Sequence, residues 1–148
     1  MIKMKNILGL FALSAILFSF TPNQLSTNPT VDAFSETEKI EWKDLTLEEA
    51  KKLSAETGKP IFVDVSAVWC GYCKKMKRNV YSEESVAKTL NEKYIAIAID
   101  GERGEGVNLV KKHKVRGYPT QFVFDSKGDV LKRNDGYMGE SKLLSFLK

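Results

Sequence analysis

Cysteine and histidine are scarce in this sequence. Among 148 residues there are two cysteines, Cys70 and Cys73, and one histidine, His113. Structural zinc sites usually take four cysteine or histidine ligands, so a zinc or copper site here would lack ligands. Covalent haem attachment requires a histidine directly after the second cysteine, and Lys74 stands at that position. The composition therefore argues against a closed metal site and excludes covalent haem.

A strong excess of charge is also missing. The formal net charge is +4, and acidic and basic residues are interleaved along the chain. No basic stretch alternates with aromatic residues, so we expect no binding of nucleic acid. With 43% hydrophobic and 28% charged residues, the composition is typical of a soluble globular protein. The length is enough for one domain.

The longest run without charges that is mostly apolar lies near the N-terminus. Lys3 and Lys5 precede this run at residues 7–20, and a polar stretch rich in Thr, Asn, Ser and Pro follows it. This order is typical of a secretory signal peptide. The run is shorter than the roughly 20 residues that span a bilayer. No cysteine directly follows it, which excludes a lipoprotein anchor. We therefore predict an exported protein of the periplasm or cell envelope.

Small residues indicate where the signal would be cleaved. Val31 and Ala33 have the spacing that a signal peptidase recognises, which would leave Phe34 as the first residue. Residues 19–21 have the same spacing, but Pro22 would follow the cut and obstruct it. We interpret residues 1–33 as a signal peptide with a polar spacer and residues 34–148 as the folded domain. An uncleaved signal that anchors the chain to the membrane is the alternative.

The two cysteines form a Cys-x-x-Cys motif between a buried strand and a helix. Residues 59–66 read as the strand, so Cys70 falls at the start of the helix. Unpaired N–H groups and the helix dipole favour negative charge there, and the thiolate is the reactive form of cysteine. Closing so short a loop stabilises a fold little, since the benefit grows with loop length. The pair is better explained by redox reactivity.

The pattern of apolar residues predicts alternating strands and helices in the order β-α-β-α-β-α-β-β-α. Helices that alternate with buried strands, followed by a hairpin and a last helix, indicate an α/β protein with a central mixed sheet flanked by helices. In chain order we predict an edge strand at 40–42, a helix capped by Thr46 and Glu49 and ended by Gly58, a strand at 61–65, a helix after the cysteines with a further segment capped by Ser82, a strand at 94–100, a helix around 107–113, an antiparallel hairpin of 118–125 and 130–132, and a helix at 140–148.

From residue 40 onward the chain resembles the thioredoxin family. Trp-Cys-Gly-Tyr-Cys-Lys at 69–74 follows a buried strand, and Asp64 lies six residues before Cys70, where thioredoxins carry a buried acid. Arg-Gly-Tyr-Pro-Thr at 116–120 matches the family's cis-proline loop. The hairpin, Gly136 and the final amphipathic helix complete the match. The resemblance implies a thioredoxin fold over residues 34–148.

The resemblance also implies roles for single residues. Cys70 would attack a substrate disulfide, Cys73 would resolve the mixed disulfide, and Asp64 would accept the proton of Cys73. Burial would raise the pKa of Asp64. The residues expected to bind substrate are Trp69, Gly71 and Tyr72 around the dithiol, and Tyr118 with a cis Pro119, whose turn would expose the Tyr118 backbone for pairing. No metal and no bound cofactor are implied.

Two positions depart from thioredoxins. Many thioredoxins have a lysine near the buried acid, and the matching position here is Ala96. The dipeptide between the cysteines is Gly71-Tyr72 instead of Gly-Pro, so that the motif is similar to that of bacterial periplasmic disulfide isomerases. Residues in this gap tune the reduction potential, and about 30 mV changes a dithiol equilibrium tenfold. We expect a potential different from that of thioredoxin.

These observations predict a monomeric thiol–disulfide oxidoreductase that acts on protein disulfides in the cell envelope, as a reductase or an isomerase. In an oxidising compartment such activity needs a membrane electron donor, whereas coupling to an acceptor would give an oxidase. Two alternatives come from other classes. One is a non-catalytic binding module with a thioredoxin fold, and the other is a metal-handling protein that uses its Cys-x-x-Cys pair.

Overall fold

The protein folds into a mixed sheet with helices on both faces, as predicted, and the sheet has four strands where five were predicted. A computed structural model describes residues 38–148, and the predicted signal peptide and cleavage site lie outside the described residues. The elements in chain order are α1 (Leu47–Thr57), β1 (Ile61–Ser66), α2 (Gly71–Asn79), α3 (Glu84–Lys93), β2 (Ile95–Asp100), α4 (Glu105–Lys112), β3 (Thr120–Phe124), β4 (Val130–Asp135) and α5 (Glu140–Phe146). Within this part of the chain no helix is both long and apolar enough to cross a membrane.

Helix α1 begins and ends as its local sequence requires. The Thr46 hydroxyl accepts a hydrogen bond from the Glu49 N–H, and the Glu49 carboxylate accepts one from the Thr46 N–H, which together form a capping box. Gly58 ends the helix with φ +73°, a left-handed conformation that favours glycine. Both boundaries confirm the prediction.

The strand order is β2-β1-β3-β4, so β1 is central. It pairs in parallel with β2 and antiparallel with β3, and β3 forms the predicted hairpin with β4. Asp64 lies opposite Ala98 on β2 and opposite Gln121 on β3, and Gln121 lies opposite Asn134 on β4. Four residues on four strands thus form one row across the sheet.

Apolar residues cover both faces of the sheet. On one face, Phe62, Ala96 and Val123 pack with residues of α2, α3 and α5 such as Met76, Leu90 and Leu143. On the other face, Ile61, Val63, Ile97 and Phe122 pack with Ala50 of α1 and Leu109 of α4. Because side chains alternate along a strand, Asp64 shares the face of Phe62, beneath α2. This alternation carries the acid into the core below the cysteine helix.

Two local predictions were wrong. Residues 40–42 do not form a strand, because the Lys43 N–H bonds to the Ala96 carbonyl while the Glu41 N–H bonds to the Asn91 side chain. Ser82 does not cap α3, since its hydroxyl donates to the carbonyl of Arg78, which leaves Glu83 at the cap. The single histidine, His113, is partly exposed, and its ring packs against those of Phe122 and Phe124.

Candidate functional site

Cys70 and Cys73 form a disulfide at the start of α2. Cys70 is the N-cap residue, with an extended backbone, and its Cα lies 5.3 Å from that of Cys73. The Cys73 N–H donates to the Cys70 sulfur over 3.0 Å, so one of the unpaired donors of the helix start points at this sulfur. Only 3% of Cys70 is exposed. This donor is placed to stabilise a thiolate on Cys70 once the disulfide is reduced.

Exposed aromatic side chains surround the buried disulfide. Trp69 is 67% exposed and Tyr72 is 63% exposed, whereas Gly71 between the cysteines adds no side chain. The Trp69 indole N–H donates to both carboxylate oxygens of Glu102, at 3.1 and 3.0 Å, which holds the ring beside the site. Large apolar surfaces that remain exposed in this way are common at interaction sites.

The loop before β3 completes the site from the opposite side. The Tyr118–Pro119 peptide bond is cis, and Tyr118 packs against the small buried cluster of Ala67, Cys70 and Cys73. The Tyr118 ring lies edge-on to that of Trp69, with 6.0 Å between the centroids. The predicted residues at 69–73 and 118–119 therefore meet around one disulfide.

Gly101 makes room for the Tyr118 ring. A Cβ on this glycine would lie 2.6 Å from both Cε1 and the hydroxyl oxygen of Tyr118, closer than real Cβ atoms approach. Gly101 was not identified as a site residue from the sequence, where it reads only as part of a flexible connection. The close approach depends on the packing of the β2–α4 connection against the loop before β3, which no local pattern reveals.

Asp64 is buried next to the disulfide helix and is hydrogen-bonded on one oxygen. Its Oδ1 accepts a hydrogen bond of 2.8 Å from the Tyr81 hydroxyl and one of 3.3 Å from the Gln121 side-chain amide. Burial raises the pKa of Asp64, although both hydrogen bonds act in the opposite direction. Burial and the Asp64 charge together raise the pKa of Tyr81 well above 10. Within the described residues, no hydrogen bond joins Asp64 to either cysteine.

The hydrogen bonds of Asp64 continue along the row across the sheet. The Asn134 side-chain amide donates a hydrogen bond of 2.8 Å to the side-chain oxygen Oε1 of Gln121, which turns the NH₂ group of Gln121 towards Asp64. Gln121, Tyr81 and Asn134 were not identified from the sequence. A glutamine beside the apolar residues of 120–124 is the signal that could have revealed one of them. A polar residue in an apolar strand likewise pointed to Asp64 within β1.

A cavity lies between Cys73 and β2, the strand next to Asp64. It measures about 350 Å³ and is lined by Cys73, Lys77 and Ala98, among other residues. Ala98 is the β2 neighbour of Asp64. Lys77, one turn after Cys73 on α2, exerts a charge effect that lowers the pKa of Asp64. Ala96, where many thioredoxins have lysine, is buried among apolar residues, and Lys77 of α2 supplies a positive charge instead.

No group of three or more His, Cys, Asp or Glu side chains that could hold a metal occurs among residues 38–148. The cysteine pair thus has no further ligand beside it in that range. Disulfide exchange is the chemistry for which this arrangement has all the parts: a sulfur at a helix start beside exposed aromatic side chains, a second sulfur three residues later and a protonatable acid nearby.

Comparisons with known proteins agree with this geometry. Residues 47–148 match the family model described as a thioredoxin-like domain. The thiol:disulfide interchange protein DsbD of Yersinia pestis (strain Pestoides F) is 31% identical over 99 residues, which are 65% of this chain and 17% of that protein. The chain therefore spans only part of the length of such relatives.

Solved structures share the fold. A candidate disulphide-isomerase from Bacteroides thetaiotaomicron superposes with a TM-score of 0.67 at 34% identity, covering 74% of this chain and 91% of that one. A thioredoxin from Thermus thermophilus gives a TM-score of 0.65 at 23% identity over 74% of this chain and 85% of that chain. The second likeness concerns the fold alone.

Proposed function

The chain belongs to the thioredoxin-like domain family, and on that premise we propose that it is a thiol–disulfide oxidoreductase acting on the disulfides of other proteins. The observation that carries the proposal is the Cys70–Cys73 disulfide at the start of α2, with the Cys70 sulfur facing the loop of Tyr118 and Pro119. The sulfur at a helix N-cap is the one that such chemistry uses as its nucleophile.

The first step is attack by the reduced protein. The Cys70 thiolate attacks one sulfur of the substrate disulfide, which breaks that S–S bond and forms a mixed disulfide with Cys70. The other substrate sulfur leaves as a thiolate and takes a proton from water. The Cys73 N–H stabilises the negative charge of the Cys70 thiolate before the attack by donating a hydrogen bond to its sulfur.

The second step releases the substrate. The Cys73 thiol loses its proton and attacks the Cys70 sulfur, which forms the intramolecular disulfide and frees the second substrate sulfur as a thiolate. The substrate gains two electrons and the protein loses two. Asp64 accepts the proton of Cys73. No direct hydrogen bond joins the two groups, and the cavity beside Cys73 has room for a water molecule that could relay the proton towards Asp64.

The substrate binds as an extended chain beside Tyr118. In the described part of the chain, the Tyr118 backbone takes part in no turn, loop or cap hydrogen bond, whereas the Pro119 carbonyl is occupied by the Gly136 N–H at 2.7 Å. An extended peptide can add its own backbone hydrogen bonds to such a free edge. Trp69 and Tyr72 then cover the substrate side chains next to the reacting sulfur.

We place this activity in the cell envelope, because the N-terminal sequence has the order of a secretory signal. There the protein works as a monomer, as a reductase or isomerase that a membrane electron donor keeps reduced.

Mass spectrometry of the protein from the envelope fraction tests export, and a mature chain beginning at Phe34 is the expected product. Alkylation trapping in cells, together with the potential against glutathione, decides the direction of the reaction.

The activity itself is tested by insulin reduction with dithiothreitol. We expect the wild type to accelerate precipitation of the insulin B chain and the Cys70→Ser variant to match the rate without protein. Equal rates for the wild type and the variant would contradict the proposal and favour a non-catalytic binding module. Circular dichroism of both proteins checks that the variant keeps its fold.

A further inference from the structure

A groove next to the Tyr118 loop carries positive charge that the fold leaves uncompensated. The groove measures about 570 Å³ and is lined by Lys114, Arg116, Tyr118, Arg133 and Asp135, together with two glycines. Arg133 forms an ion pair of 2.8 Å with Asp135, so these two charges cancel. Lys114 and Arg116 form no salt bridge with any described residue. The groove therefore presents two exposed, unpaired cations.

The backbone that carries these cations is held in place. Two residues after the end of α4, Lys114 has a left-handed conformation, φ +52°, and the Val115 N–H bonds back to the Val110 carbonyl at 3.0 Å. The Arg133 guanidinium donates to the carbonyls of His113 and Lys114, at 2.7 and 3.4 Å. The second strand of the hairpin thus fixes the loop that precedes Tyr118.

The acidic groups on the other side of the disulfide already have partners within the chain. Glu102 accepts from the Trp69 indole N–H, and Asp100 forms an ion pair with Arg103 at 3.7 Å. A peptide that pairs with the backbone of Tyr118 would extend past Gly117 and Arg116, which line the groove. Charge on the residues flanking its reacting cysteine would then lie close to Lys114 and Arg116.

We propose that the groove of Lys114 and Arg116 selects protein disulfides whose cysteine is flanked by acidic residues. The proposal rests on the proposed oxidoreductase function and adds the chemical class of its substrates. Each exposed ion pair between groove and substrate contributes little binding free energy and is screened by salt. The groove should therefore change the relative reaction rates of substrates and not exclude any of them.

The test uses three peptides that differ only in the residues flanking one cysteine, which are glutamate, glutamine or lysine. Each is supplied as its symmetric disulfide to the fully reduced protein. Because neighbouring charge changes the intrinsic reactivity of a disulfide, every kcat/KM is divided by the rate with dithiothreitol. At low salt we expect the corrected value for the glutamate peptide to exceed that for the lysine peptide roughly three- to tenfold. This ratio should approach 1 at about 0.5 M salt.

Two charge-matched variants distinguish the effect of the groove from the effect of the protein's net charge. The double variant Lys114→Gln/Arg116→Gln should lose the preference. The control Lys88→Gln/Lys93→Gln removes the same charge from α3, away from the groove, and should keep it. Equal corrected rates for all peptides in the wild type would overturn the proposal, as would a preference for lysine or equal loss in both variants. Failure of the oxidoreductase function itself looks different, because no peptide would then react faster with wild type than with Cys70→Ser.

Discussion

The hydroxyl of Tyr81 donates a buried hydrogen bond of 2.8 Å to Oδ1 of Asp64, from 17 residues further along the chain. The bond links the segment after the cysteine helix to the central strand. It favours the charged form of Asp64 and opposes the effect of burial. The acid that is proposed to take the proton of Cys73 is therefore tuned by a tyrosine that touches neither cysteine cluster nor substrate loop.

Replacing Tyr81 by phenylalanine should raise the pKa of Asp64 further, because the charged form loses a donor. It should also lower the free energy of unfolding by about 1–3 kcal/mol, as expected for a hydrogen bond to a charged group. Carbon-13 NMR titration of the Asp64 carboxyl measures the first effect. Tyr94→Phe is the matched control, because Tyr94 donates to the Leu147 carbonyl and not to Asp64. An unchanged or lowered pKa in Tyr81→Phe would refute the assignment.

Asp64→Asn should make the protein more stable at neutral pH. Below the ordinary carboxyl pKa of 3.8, Asp64 is protonated in both the folded and the unfolded chain. Its titration therefore does not change the free energy of unfolding in that range. As the pH rises past that value, the unfolded chain loses the proton while burial retains it in the folded protein. Wild-type stability therefore falls with pH until the folded pKa is passed. Each tenfold difference in proton affinity corresponds to about 1.4 kcal/mol.

Urea unfolding between about pH 4 and pH 8 measures this difference, which should grow with pH. Asp125→Asn is the control, because the fold shifts the pKa of Asp125 in the opposite direction from that of Asp64. Backbone N–H groups, above all that of Asp129, lower the pKa of Asp125, so wild-type stability from this group is present above pH 4 and lost below it. Asp125→Asn should accordingly be less stable than the wild type by a difference that stays nearly constant above about pH 4 and shrinks below it. Parallel pH profiles of wild type and Asp64→Asn would contradict the prediction.

Asp64→Asn should slow resolution of the mixed disulfide more than its formation. An amide cannot accept the proton of Cys73, whereas the attack by Cys70 does not depend on that transfer. Mixed disulfides with a model peptide should therefore accumulate, by roughly tenfold or more if Asp64 acts as a general base. Acid quench and mass spectrometry follow both steps. If the two steps slow equally, Asp64 has a structural role only.

In the reduced protein, Cys70 should react with iodoacetamide at neutral pH at least about tenfold faster than Cys73, because the helix start stabilises its thiolate. Peptide mapping of protein alkylated for short times identifies the modified sulfur. The single variants Cys70→Ser and Cys73→Ser give each rate separately. Comparable rates for the two cysteines would remove the basis for naming Cys70 as the nucleophile.

Gly101→Ala should displace the Tyr118 ring and lower kcat/KM for protein disulfides, by about tenfold if the ring guides the substrate chain. The added methyl group meets the far end of a side chain, which can move, so we expect little loss of stability. Gly139→Ala serves as the control, since a Cβ there meets no atom within 4 Å. Full activity of Gly101→Ala would show that the ring position is unimportant.

Much of the fold could be predicted from the sequence, because its signals are local. The capping box of Thr46 and Glu49 joins residues three apart, and Gly58 ends the helix through its own backbone conformation. The strand around Asp64 and the helix beginning at Cys70 follow from apolar periodicity and from the motif. The single failed strand, at 40–42, was an edge segment whose pairing depends on β2, more than 50 residues away.

The sequence by itself determined the chemistry of this protein: two cysteines two residues apart at a helix start, and an acid within an apolar strand. Tertiary structure alone decided how that chemistry is tuned. The register of the sheet puts Gln121 and Asn134 in the row of Asp64, and the chain after α2 returns Tyr81 to the same oxygen. These partners lie tens of residues apart. Their meeting depends on strand pairing and core packing, which no local pattern specifies.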